Sequence, residues 1–297
     1  MANVKNWLAG ARPRTLTAAL APVLIGTSVA IDPTADESIG DIDLWRFLFT
    51  LLVAVALQIG VNYANDYSDG VRGTDKTRIG PKRLVASGAA TPRQVLWAAI
   101  ICFTAAAIAG FFLALWTTWW LILVGAVAIA AAYLYTGGKH PYGYRGFGEV
   151  SVMLFFGLVA TVGTTFVQIE EISGLAVVCG VGVGAVACAL LTANNLRDLT
   201  ADREVGKRTL SVIIERRFAM KWARSLYLLF WIVATGAVIV ADLSRPWAFL
   251  ALTVSLLAIA PIRRVLKGEE ASPMVLKATG GLLAIYGFIL AVGLALG

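Results

Sequence analysis

Residues 44–70 read LWRFLFTLLVAVALQIGVNYANDYSDG, and the change of character along this stretch decides the fold. Its first part, Leu44 to Ala64, is an apolar run. About 20 apolar residues are enough to carry a helix across the hydrocarbon core of a bilayer. Its second part holds Asn62, Asn65, Asp66 and Asp69, and Asp75 follows. Carboxylates set against lipid are expensive, so acids in such a place are functional candidates by default. On a helix, residues i and i+4 share a face. Asn62 and Asp66 therefore point the same way, with Asp69 three residues on.

Working outward, the same kind of run recurs along the whole chain. Nine apolar segments cover roughly 15–31, 44–64, 94–115, 118–135, 147–168, 175–196, 222–241, 247–261 and 274–296. The eighth is short and is flanked by Pro246 and Pro261. The composition agrees: 59% hydrophobic, only 14% charged, with a mean hydropathy of +0.78. A soluble domain carries nearer a quarter charged residues. The runs are continuous rather than alternating, which argues against a β-barrel. The expectation is an all-α membrane protein of about nine transmembrane helices, a single polytopic domain over 1–297. Cys102, Cys179 and Cys188 all fall inside apolar runs and read as small packing residues. The first run lacks a small-residue cleavage site after it and reads as a retained helix.

The basic residues orient this bundle. With the N-terminus in the cytoplasm, only Arg46 and Arg245 of the 25 Lys and Arg fall on the far side. That asymmetry is the positive-inside signal. The far side is acidic instead, with Asp32, Asp36, Glu37, Asp41, Asp43, Glu170, Glu171 and Asp242. The net charge of +7 is thus mostly a matter of topology, and no domain is left over to bind nucleic acid.

A second acidic motif matches the first. Asn194, Asp198 and Asp202 end the sixth segment, and Asn62 to Asn194 and Asp66 to Asp198 are each displaced by 132 positions. Both motifs fall on the cytoplasmic side, four helices apart, as in a parallel repeat. If the two helix ends face each other, their carboxylates and amides line one cavity, and repulsion among them calls for cations. Mg2+ binds through one or two carboxylates plus substrate phosphates. The pattern therefore points to an enzyme acting on a diphosphate whose tail lives in lipid. The other reading is that the acids form loop salt bridges with nearby arginines. Arg72, Lys76, Arg78, Lys82 and Arg83 follow the first motif, Lys139 follows the fourth segment, and Arg197, Arg203, Lys207 and Arg208 surround the second motif. Arg grips phosphate with a bidentate fork and Lys as a point charge. Tyr135 alone reads as an interfacial anchor. The single histidine, His140, leaves no room for Ser/His/Asp or Cys/His chemistry. Glu149 starts the fifth segment and suits the positive end of its helix dipole.

At these residues the chain resembles the UbiA superfamily of intramembrane prenyltransferases. The carrying motifs are Asn65-Asp66-Tyr67-Ser68-Asp69 with Asp75, Arg83-Leu84-Val85-Ala86-Ser87-Gly88, and Asn194-Asn195-Leu196-Arg197-Asp198 with Asp202. Further segments resemble the menaquinone-pathway branch, which prenylates 1,4-dihydroxy-2-naphthoate: Arg12 to Leu16, Arg78-Ile79-Gly80-Pro81, Tyr135-Thr136-Gly137-Gly138 and Gly206 to Leu210. Asp75 lies six residues after Asp69, further than in many relatives, which sets it apart from Asp66 and Asp69.

The resemblance implies a UbiA-like bundle and Mg2+ held by Asp66, Asp69, Asp198 and Asp202. It implies that Asn62, Asn65 and Asn194 orient metal-bound water or diphosphate. Arg72, Arg78, Arg83, Lys139 and Arg197 become candidate diphosphate contacts, Lys139 with a catalytic part, and Tyr135 a substrate contact. Arg12, Arg14 and Arg145 are candidates for the acceptor carboxylate. The substrates implied are a polyprenyl diphosphate and 1,4-dihydroxy-2-naphthoate, with loss of CO2. The setting implied is the cell inner (plasma) membrane, with the lipid bilayer as partner and the active site facing the cytoplasm. The shared motifs leave 4-hydroxybenzoate, homogentisate or a lipid glycerol phosphate open as acceptors. A CDP-alcohol phosphotransferase fits poorly, because its acids form one continuous motif. A transporter fits poorly too, because its ion sites lie near the bilayer midplane.

Overall fold

The computed structural model describes residues 3–34, 42–74 and 83–297, and all regular structure among them is helical. Asp75, Lys76, Arg78 and Lys82, singled out above, lie outside the described residues. The chain opens with α1 (Val4–Ala11), capped by the Asn3 side chain. A 3-10 turn at Pro13–Thr15 then leads into α2 (Thr17–Ala30). Next come α3 (Leu44–Arg72), α4 (Pro92–Trp116) and α5 (Trp120–Leu134). The second half holds α6 (Gly148–Ile169), α7 (Gly174–Arg197), the short α8 (Leu199–Glu204) and α9 (Leu210–Arg217). It closes with α10 (Met220–Asp242), α11 (Pro246–Leu266) and α12 (Pro273–Leu296).

Seven of these, α3, α4, α6, α7, α10, α11 and α12, are long and apolar enough to cross a membrane. The other two apolar segments form the 14-residue α2 and the 15-residue α5. At 1.5 Å per residue these are roughly 21–23 Å long, short of a hydrocarbon core of about 30 Å. The eighth segment is longer than its flanking prolines imply. It starts with 3-10 turns at Pro246–Ala251 and runs on to Leu266 with Pro261 inside the helix. A proline inside a spanning helix removes one backbone hydrogen bond, which neighbouring groups make good.

The most extensive pairings are α3 with α4 and α7 with α10, which hold matching places in the two halves. The centre is α7, which α2, α6, α10 and α12 all touch. Its buried face is built of small residues, Gly180, Gly184, Ala185 and Ala189 among them. Small residues let helix backbones approach closely where lipid gives no hydrophobic push. A Cβ on Gly157 of α6 would sit 2.6 Å from the Gly180 carbonyl oxygen and 2.9 Å from Gly184 Cα. Around this contact α6 widens into a π-helical stretch, Met153–Val159.

The two arginines at the end remote from the acidic motifs are clamps. Arg46 donates to Val167 O (2.7 Å), Trp116 O (3.0 Å) and Glu170 Oε1 (3.1 Å), tying the ends of α3, α4 and α6. Arg245 donates to Leu294 O (2.9 Å) and Ile31 O (2.7 Å), tying α2, α11 and α12. Each guanidinium satisfies carbonyls that helix ends leave open.

Candidate active site

The C-terminal turns of α3 carry the first motif, and each of its polar side chains holds a different neighbour. Asn62 Nδ2 donates to Ala11 O (2.9 Å) and Thr15 Oγ1 (3.1 Å), fixing the N-terminal segment against α3. Asn65 Oδ1 accepts from Thr136 Oγ1 at 2.7 Å. Asp66 is buried, and its two oxygens accept from the backbone N–H groups of Leu84 (2.8 Å) and Val85 (3.1 Å). It therefore anchors the Arg83–Gly88 turn. A carboxylate has about four lone-pair sites, so two amide bonds leave it further acceptor capacity. Arg72 donates to the carbonyls of Thr136 and Gly138, binding the end of α3 to the loop after α5.

The second motif ends α7. Arg197 forks onto its own neighbour: Nε and Nη2 each reach an Asp198 carboxylate oxygen at 2.7 Å. Nη2 also reaches Asn194 Oδ1 at 2.7 Å. The fork matches the carboxylate plane, which is what Arg offers and Lys does not. After α8 the chain turns at Gly206, whose φ of 76 a side chain would resist. The turn brings the Lys207 N–H back to Asp202 O at 2.8 Å.

Lys207 is where the two motifs meet. Its ammonium lies 3.5 Å from Asp69 Oδ2 and 4.0 Å from Asp202 Oδ1, and 4.6 Å from the centre of the Tyr144 ring. Tyr144 Oη in turn donates to Asp69 Oδ1. Burial and the neighbouring Asp69 charge push the Tyr144 phenol pKa up, so it stays a donor. Arg83 Nη2 approaches Asp69 Oδ2 at 3.9 Å. The cluster is therefore Asp69, Asp202, Lys207, Tyr144 and Arg83, with Asp66 and Asp198 each held on another partner. Among the described residues no three acidic, His or Cys side chains converge on one point. Asp69 and Asp202 nevertheless offer hard oxygen donors, from two separate motifs, to one cation. That donor set fits Mg2+, which needs one or two carboxylates and keeps waters or phosphate oxygens for the rest.

A cavity of about 1150 Å³ reaches the two motifs through Asn62, Asn65, Asn194 and Arg197, while the four acids themselves are not among its lining residues. Arg12, Arg14, Asn62, Asn65, Asn194, Arg197 and Lys277 line its polar part. Val53, Leu57, Leu121, Val124, Phe155, Phe156 and Val159 are among the residues of its apolar wall. Tyr135 also lines it, packed edge-on against Tyr142 with ring centres 5.4 Å apart.

The structure does not bring all the expected residues here. Lys139 and Arg145 are exposed and line no part of the cavity, because the 3-10 turn at Tyr142–Arg145 directs Tyr144 inward instead. Arg72 acts on carbonyls, as described. The residues that sequence reasoning missed as site members are Lys207 and Tyr144. Lys207 was visible only as one of several charges near the second motif. Its position in the Gly206-Lys207 turn, folded back on Asp202, was the available signal. Tyr144 is 75 residues from Asp69 and carries none.

The sequence model of the UbiA prenyltransferase family matches residues 19–279. The chain is 45% identical to the 1,4-dihydroxy-2-naphthoate octaprenyltransferase of Mycobacterium tuberculosis, over 100% of this chain and 99% of that protein. It is 29% identical to the Bacillus subtilis protein of the same name, over 95% and 90%. Among solved structures, it shares the fold of a UbiA homolog from Archaeoglobus fulgidus bound to GPP and Mg2+. That match has a TM-score of 0.64 at 16% identity, over 96% of this chain and 99% of the other. The apo UbiA homolog from Aeropyrum pernix K1 matches with a TM-score of 0.72 at 16% identity, over 95% and 97%.

Proposed function

This chain belongs to the UbiA prenyltransferase family, and on that premise we propose that it transfers a polyprenyl group from polyprenyl diphosphate to 1,4-dihydroxy-2-naphthoate. Diphosphate and CO2 leave, and demethylmenaquinol forms. The observation that carries this reading is the pairing of one large apolar cavity with a cluster where both acidic motifs share a cation.

Asp69 and Asp202 would hold Mg2+, with Asp66 and Asp198 as the remaining acids of the two motifs. When bound, Mg2+ neutralises charge that builds on the departing diphosphate. Arg83 and Lys207, beside Asp69, contact the same diphosphate, and preorganised cations of this kind stabilise a charge that develops in the transition state. The bond from the prenyl carbon to oxygen breaks with its pair going to diphosphate. The electron-rich ring then forms the new C–C bond to the allylic cation. The bond to the ring carboxylate breaks as CO2, and its electron pair restores the aromatic ring. The apolar wall keeps water from trapping the cation as an alcohol. Faces of Phe155, Phe156 and Tyr142 along the cavity suit a passing cation.

In this reading α2 and α5 also cross, giving nine passes. Neighbouring helices and local bilayer thinning make up the missing length. The N-terminus and both motifs face the cytoplasm at the plasma membrane, as the distribution of Lys and Arg supports. The test is turnover in nanodiscs with a polyprenyl diphosphate, 1,4-dihydroxy-2-naphthoate and Mg2+, with an EDTA control and 4-hydroxybenzoate as competing acceptor. Mg2+-dependent prenylated naphthoquinol with release of CO2 is expected. Prenylation of the benzoate alone would move the reaction to another acceptor.

A further inference from the structure

We propose that Lys277, with Arg14 beside it, is the site that recognises the carboxylate of the aromatic acceptor. This rests on the prenyl-transfer reading above and names the residues that would choose the acceptor. Among the described residues, Arg12, Arg14, Arg197 and Lys277 are the basic side chains that line the cavity, and no acidic one does. Two of them are engaged with the acidic motifs. Arg197 is forked onto Asp198, and Arg12 exerts its attraction on Asp66. Arg14 and Lys277 make no side-chain hydrogen bond or ion pair among the described residues. An exposed lysine near a helix end usually serves topology alone. Lys277 differs from Arg263, Arg264 and Lys267 in lining the cavity.

The helix that carries Lys277 also provides a surface for a flat ring. Residues three and four apart share a helix face. Lys277, Gly280, Gly281 and Ala284 all line the cavity, so α12 presents small residues next to its one cation. A Cβ on Gly280 would lie 3.7 Å from the Arg14 carbonyl oxygen, which sets the Arg14 turn against this part of α12. A Cβ on Gly281 would meet nothing within 4 Å. A planar bicyclic arene can therefore lie against the glycine face with its carboxylate turned to Lys277 and Arg14. The diphosphate, by contrast, is provided for at the Asp69 and Asp202 cluster.

The experiment measures equilibrium binding to the intact wild-type protein and to Lys277→Met and Arg14→Gln, in detergent with EDTA. The probes are 1-hydroxy-2-naphthoate and 1-naphthol, which differ by the carboxylate alone. Wild type is expected to prefer the naphthoate, and Lys277→Met to lose about tenfold in naphthoate affinity, the scale of one charge-assisted hydrogen bond. Naphthol affinity stays unchanged, and so does the Kd for a prenyl thiodiphosphate measured with Mg2+. Lys277→Arg restores the naphthoate preference in part. An unchanged naphthoate affinity, an equal loss for naphthol, or a loss that falls on the prenyl thiodiphosphate would each overturn the proposal. Turnover with 1,4-dihydroxy-2-naphthoate is read alongside. Absent product in wild type would overturn the prenyl-transfer reading, while the binding preference would still decide the role of Lys277.

Discussion

Replacing Lys207 with Met removes the cation that, among the described residues, bridges Asp69 and Asp202. At 3.5 and 4.0 Å from two carboxylates, its pairings are worth roughly 4–5 kcal/mol each at an effective dielectric of 20. Desolvation of the ammonium and the lost freedom of a long side chain offset much of that sum. The Lys207 side chain is 13% exposed, so the pair is closer to a buried one than to a surface one. Removing one partner of a buried pair leaves a net loss of about 3 kcal/mol. For a chain of this size that lowers the apparent Tm by roughly 6 °C. Tryptophan fluorescence during heating at a fixed scan rate reads it out, since the chain has 9 Trp. In EDTA the variant should melt about 6 °C below wild type, by the scale just given. With saturating Mg2+ and no diphosphate most of the gap should close, because bound cation then holds Asp69 and Asp202 together and stabilises by mass action. Mg2+ alone should bind the variant more tightly, with no ammonium competing. An unchanged Tm in EDTA, or an equal drop in both conditions, would refute the reasoning.

Other substitutions test other parts of the site. Tyr144→Phe deletes the hydroxyl donated to Asp69 and should cost about 1–2 kcal/mol of transition-state stabilisation, or roughly 5- to 30-fold in kcat/KM, with expression unaltered. Arg197→Lys keeps the charge but loses the fork onto Asp198 and Asn194, and a fall of at least about tenfold in turnover is expected. A variant indistinguishable from wild type would show the fork to be dispensable. Asp66→Asn turns one of the two side-chain oxygens that accept from backbone amides into a donor, so hydrogen exchange at the Leu84 and Val85 amides should speed up while exchange along α3 stays slow. Gly157→Ala drives a methyl against the Gly180 carbonyl and Gly184 Cα, and should destabilise the α6–α7 contact by about 1–3 kcal/mol in thermal unfolding.

The amino-acid pattern by itself determined the class of fold, because crossing lipid demands long apolar runs with every backbone group bonded internally. It also pointed to a candidate site, because carboxylates such as Asp66, Asp69, Asp198 and Asp202 at the ends of such runs are costly against lipid. What the pattern does not carry is which partner each side chain takes. Asp66 and Asp69 are three residues apart on one helix, yet one holds backbone amides across a turn and the other faces Tyr144 and Lys207. Arg12 and Arg145 read alike along the chain, but only Arg12 lines the cavity. Lys277 and Gly280 share a face of α12, a local fact. That this face meets Arg14 across more than 260 residues of sequence was decided by packing α12 against the start of α2. Helix periodicity is local and survives in the sequence. Helix-to-helix contact depends on the shape of both partners, so only the tertiary structure could fix it.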